Sequence, residues 1–228
     1  MKRKAWVGLV TSVSVLGVCL VGGLSSYAAD TGVGIGFSSH TDPGDAGNLK
    51  IRWVPTELDF GTSNTVNKTA NVDFPELDEA AGGKKYVVVE DSRPHGVSDP
   101  DVEWKLTAQV SDLESTSAPG TKLTGAKLKF DTDMHDYSGT LDPATGGGIA
   151  AAGAHTATMD PNYELDADSS VAASSVMEDD GSSAGGTTSF EGNTAMEMKN
   201  IKLSVPANVA QKGHQYKGKI TWSLSDTI

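Results

Sequence analysis

The chain is poor in four things, and each shortage removes a class of protein. It has a single cysteine, Cys19, in 228 residues, so no disulfide framework holds it and any stable fold must rest on packing. Its 18 Lys and Arg face 30 Asp and Glu, for a formal net charge of −12. With no Lys/Arg cluster beyond the first residues, a nucleic-acid partner is excluded. No segment holds a helical period, which argues against an α-rich fold. Repeats of fixed length are absent too, which argues against a solenoid. Long apolar runs are confined to the N-terminus.

That run belongs to MKRKAWVGLVTSVSVLGVCLVGGLSSYA, where Lys2, Arg3 and Lys4 precede an apolar stretch from about Val7 to Leu24. Ser26-Tyr27-Ala28 then offers a small-x-small cleavage site, so residues 1–28 are expected to be a cleaved export signal. The competing reading, a retained anchor, is opposed by Gly8, Gly17, Gly22 and Gly23 and by the lack of stop-transfer charges. LGVC echoes a lipobox, but Val18 is a poor residue before the cut. Cleavage would remove three cations and no acid, taking the charge from −12 to −15, and would leave no membrane span. Residues 29–48 read as an N-terminal segment or linker, with Val33, Ile35 and Phe37 alternating before a Gly/Pro-marked stretch.

What remains alternates with period two. In YKGKITWSLS, Tyr216, Gly218, Ile220, Trp222 and Leu224 share one face, and Lys217, Lys219, Thr221, Ser223 and Ser225 the other. DVEWKLTAQV repeats the pattern with Val102, Trp104, Leu106, Ala108 and Val110. Shorter strands are expected at Leu49-Ile51-Trp53, Leu58-Phe60, KKYVVVE from Lys84, and Ala126-Leu128-Phe130. Met196 and Met198 lie on one parity, then Ile201, Leu203 and Val205 on the other, which is what a β-bulge at Lys199-Asn200 produces. The fold class expected is all-β, a β-sandwich of mostly antiparallel short strands with long Gly/Ser-rich loops. Between Asp131 and Gly192 the periodicity fades. Either short strands are joined by long loops there, or an insertion carries its own surface.

The two Trp-x-Leu motifs make the pattern specific. One sits in VEWKLTAQV and the other in YKGKITWSLSD; LKIRWVPTELDFG, KLTGAKLKF and IKLSVPANVAQKGHQYKG fall between and around them in order. Residues 49–228 thereby resemble the WxL-domain family of surface proteins from Gram-positive bacteria. The resemblance implies a non-enzymatic, secreted cell-surface domain that binds peptidoglycan non-covalently. It also implies partners among other WxL proteins and companion surface proteins. By position, the motif residues are Trp104 and Leu106, then Tyr216, Trp222 and Leu224. The Asp131–Gly192 region departs from the pattern.

The tryptophans admit two readings. Their indoles stack on glycan rings, or they are core; the parity they share with Leu, Ile and Val favours the interior. Lys105, Lys217 and Lys219 lie opposite and are placed to meet wall carboxylates, or only to keep an edge strand soluble. No catalytic set stands out. Gly181 to Gly185 matches Gly-x-Ser-x-Gly but lacks the strand–turn–helix context. The five histidines show no metal spacing, and no cofactor is expected. Asp131, Asp133 and Asp136 are weak calcium candidates with no EF-hand spacing. LDPATG is not a sortase signal, so attachment is expected to be non-covalent. The alternatives are an adhesin gripping host matrix or glycans through residues 131–192 and, far behind, a secreted wall hydrolase.

Overall fold

In the computed structural model, residues 26–33 are described for the backbone, and residues 48–93, 103–153, 157–180 and 192–226 in full. The rest of the leader, Ile35, Phe37, Val102 and the Gly181–Gly185 motif lie outside them. The protein is all-β. Among the described residues, thirteen strands fall into two sheets, with two single-turn helices, α1 (Leu77–Ala80) and α2 (Pro143–Gly146).

The first sheet is built around the two Trp-x-Leu strands, β6 (Trp104–Val110) and β13 (Tyr216–Ser225). Its order is β11 (Ser174–Asp179), β6, β13, β1 (Ser26–Val33), β3 (Glu57–Leu58), and the short β7 (Glu114–Ser115) also pairs with β13. The register sets Leu224 opposite Leu106, Trp222 opposite Ala108 and Ile220 opposite Val110. Trp222 therefore lies opposite the small Ala108, which makes room for it, while Trp104 lies opposite Asp179 of β11. Gly218 continues the inward row for a related reason. A Cβ there would sit 2.7 Å from Leu113 Cδ2, so Leu113 fills the place of a side chain.

The second sheet runs β10 (Asn162–Asp166), β8 (Lys127–Tyr137), β12 (Gly192–Val205), β5 (Lys85–Asp91), β2 (Leu49–Trp53). β4 (Val72–Pro75) pairs with β12 and β9 (Ile149–Ala151) with β8. Its inner face contributes Val87, Val89, Leu128, Phe130, Met196, Met198, Ile201 and Leu203 to the core that Trp104, Leu106, Val176, Ile220, Trp222 and Leu224 enter from the first sheet. The bulge expected in β12 is present. Lys199 pairs with Asp131 and Lys202 with Lys129, so three steps on one strand match two on the other. The extra residue moves the inward set from even to odd numbers. Asn200 takes φ 51° at that point, and the Glu79 carboxylate accepts the N–H groups of Asn200 and Ile201 at 2.6 and 2.9 Å.

One expectation changes. Leu49, Ile51 and Trp53 do not share a face: β2 slips by one residue between Ile51 and Trp53, which sets Trp53 opposite Val88 on the outer face. A second apolar cluster forms there from Tyr86, Val88, Tyr137 and Ala195, with Trp53 and Ile149 against it. β5 is thus apolar on both faces, which explains its unbroken Val run. Of the two readings left open for residues 131–192, the described residues fit the first, short strands: β10 pairs with β8 in one sheet and β11 with β6 in the other. β1 spans the end of the expected leader and the start of the expected linker, and its Ser26 to Val33 pair with Ser225 to Gly218.

Candidate wall-contact surface

All four Trp and Leu residues of the motifs are interior: Trp104 is 1% exposed and Leu106, Trp222 and Leu224 are 0%. Tyr216 is half-buried against the core, and its hydroxyl accepts the Gln211 N–H at 3.0 Å. An indole with no exposed face offers nothing to a glycan ring, so in this fold the motif residues are core.

The other parity is a polar row across β6 and β13. Gln109 lies opposite Thr221, Thr107 opposite Ser223 and Lys105 opposite Ser225. Thr107 Oγ1 donates to the Ser223 carbonyl at 3.3 Å, and the Gln109 amide donates to the Val171 carbonyl at 2.6 Å. Lys105 pairs with Glu178 at 3.3 Å, while Lys217 and Lys219 stand exposed at the far end of β13. Hydroxyls, an amide and ammonium groups on one sheet face suit sugar hydroxyls and peptide carboxylates. A cavity of about 30 Å³ lined by Ala108, Val110, Leu165 and Ser174 has room for a water molecule.

A model of the WxL domain, described as a surface cell-wall-binding domain, matches residues 37–227. The chain belongs to the WxL family. No curated protein and no solved structure matches it. In this WxL domain both signature motifs lie in one sheet on adjacent strands, which is why two tripeptides 118 residues apart act as one structural unit.

The calcium candidates do not converge. Asp131 and Asp133 point outward from β8, where Asp131 accepts the Asn200 side-chain amide at 2.6 Å and Asp133 pairs with Lys199. Asp136 has the opposite parity and accepts the Gly153 N–H. Residue spacing along β8 missed a different grouping across the outer face of the second sheet, where Asp133, His135 and Glu197 bring ligand atoms within 4.8 Å of one another. His135 Nε2 lies 2.8 Å from Glu197 Oε2, and Lys84 Nζ lies 2.9 Å from Glu197 Oε1. The Lys84 ammonium is held above its ordinary pKa, first by that hydrogen bond. Burial, then the Glu197 charge, pushes the Tyr86 phenol up.

Further along this face, Arg52 donates to Glu90 at 2.5 Å and sits 5.8 Å from the Tyr137 ring centroid. Tyr137, whose phenol is pushed up by burial, donates to the Leu141 carbonyl. The Ser138–Gly148 loop thereby folds over the aromatic cluster, with α2 against β5.

Proposed function

We propose that this WxL domain attaches the protein non-covalently to peptidoglycan on the cell surface, performs no chemistry, and assembles with other WxL or companion surface proteins. The observation that carries the reading is the two-sided use of β6 and β13. Their apolar parity is spent entirely on the core, and the parity left over forms one polar face. A single sheet face of hydroxyl, amide and ammonium groups fits a repeating glycan–peptide lattice better than a closed cleft does. Its lysines meet wall carboxylates, and a net negative chain keeps bulk charge from dominating the contact.

The test is co-sedimentation of the exported chain with isolated sacculi, while following turbidity. Retention without clearing is the expected result. A Lys217→Glu/Lys219→Glu variant should remain folded by circular dichroism and be retained less. Clearing of the sacculi, or retention unchanged in that variant, would overturn the reading in its two respective parts. Immobilised host matrix tests the adhesin alternative: retention there and not on sacculi would replace the wall reading.

A further inference from the structure

We propose that Asp133, His135 and Glu197 form a binding site for a divalent transition-metal ion, with Zn²⁺ the best-suited occupant. The backbone pattern creates the site. Asp133 and His135 are two residues apart on β8, so both side chains leave the same face of the sheet. Glu197 is the direct cross-strand partner of Asp133 on β12, which brings a third ligand into the space between them. A D-x-H pair on one strand closed by a carboxylate from its neighbour is a three-point chelate on a rigid support.

Two features beyond the grouping point to a cation. Glu197 Oε2 and His135 Nε2 are 2.8 Å apart, and both are lone-pair atoms unless something positive lies between them. A proton fills that role on imidazolium or on the Nε2–H tautomer, and a metal ion fills it equally. Tetrahedral ligands at about 2.0–2.2 Å from one ion are separated by roughly 3.3–3.6 Å, so the present 2.8 Å opens by roughly half an ångström or a little more as the ion enters. The Glu197 side chain is also 9% exposed, which places one carboxylate in a partly dehydrated setting where its pull on a cation is strengthened. Tyr86, edge-on to the His135 ring at 6.1 Å between centroids, limits how that ring turns.

The donor set selects the ion. One imidazole and two carboxylates suit Zn²⁺ and its transition-metal neighbours, whereas Ca²⁺ takes oxygen ligands alone. Two lysines compete for the same carboxylates, Lys84 at Glu197 and Lys199 at Asp133. Their side chains are 56% and 38% exposed, and ion pairs of that kind hold weakly and swing away. Their presence makes them gatekeepers: the metal binds by displacing two surface ammonium groups.

The experiment is isothermal titration of the untagged exported chain with ZnCl₂, with CaCl₂ as a parallel arm. The expected result is one Zn²⁺ per chain and no heat from Ca²⁺ at the same concentration. His135→Ala should weaken Zn²⁺ binding by at least about tenfold, the scale on which even ligand-supporting residues act. Lys84→Ala and Lys199→Ala should each tighten it by about two- to five-fold, since each removes a competing ion pair. A purely structural His135–Glu197 hydrogen bond would not give that tightening. Because Glu197 substitutions risk the fold, the exposed lysine variants and His135→Ala carry the test. Absence of Zn²⁺ binding, binding indifferent to His135→Ala, or lysine variants that weaken it would overturn the site.

Discussion

Trp222 is where the sharpest consequence of this architecture lies. The side chain is fully buried between Ile220 and Leu224 on its own strand and opposite Ala108 on β6. Truncating it to Ala removes the indole from a site whose walls are two hydrogen-bonded sheets, so little collapse is available to fill the void. Such truncations cost about 3–5 kcal/mol. A domain of this size carries a net stability on the order of 5–15 kcal/mol, so the variant stands at the edge of folding. With about 2–4 °C of melting temperature per kcal/mol in this size range, the drop should be on the order of 10 °C. Trp222→Phe keeps one aromatic ring in the site and should lose less than the Ala variant. The assay is urea unfolding by circular dichroism, paired with sacculus sedimentation at a temperature where the variant is still native. Wall retention per folded molecule should be unchanged. A Trp222→Ala protein with nearly full stability and no wall retention would refute the reasoning, because the indole would then be a contact rather than a core residue.

Three further perturbations follow from the same structure. Gly218→Ala places a methyl 2.7 Å from Leu113 Cδ2; it should cost about 1–3 kcal/mol by thermal melting, and a smaller residue at 113 should restore part of it. Glu76 is 1% exposed, caps α1 by accepting the Glu79 N–H at 2.6 Å, and accepts the Asp59 N–H at 3.2 Å. Glu76→Ala should lose about 1–3 kcal/mol in chemical unfolding, since it strands buried donors as well as removing the cap. Asp112 is held below its ordinary 3.8, first by the Ser169 hydroxyl and then by Lys122. Its stabilising effect is therefore present above about pH 4 and lost as pH falls through its folded value, so Asp112→Asn should lower the melting temperature at neutral pH and flatten the acid limb of a melting-temperature profile.

How much of this was legible depended on where polarity falls along a strand. β6 and β13 announce themselves because every inward residue is apolar or Gly and every outward one polar. The β12 bulge was readable for the same reason: two Met on one parity and Ile201, Leu203 and Val205 on the other leave a single place for the slip. The bulge in β2 was hidden, because Leu49, Ile51 and Trp53 read as one apolar face, and only the pairing with Val88 shows that Trp53 belongs to the outer cluster. The continuation of β8 past Phe130 was masked by Asp131, Asp133 and His135, which are outward residues on a strand whose inner row holds Thr132 and Met134. β10 and β11 are short and carry few inward apolar residues, Leu165 in one and Val176 and Met177 in the other. The grouping of Asp133, His135 and Glu197 joins residues about sixty positions apart through strand register, which single-strand periodicity does not carry.

The path of residues 162–179 has a practical outcome for anyone reshaping this molecule. Because the polypeptide joins one sheet at Asn162–Asp166 and the other at Ser174–Asp179, it stitches the two layers together in the last third of the chain. Cutting the stretch out would unpick that seam instead of shedding a decoration. Grafts belong in the turns between these strands, and each must hand the backbone back on the same parity, or every following side chain swaps core for water.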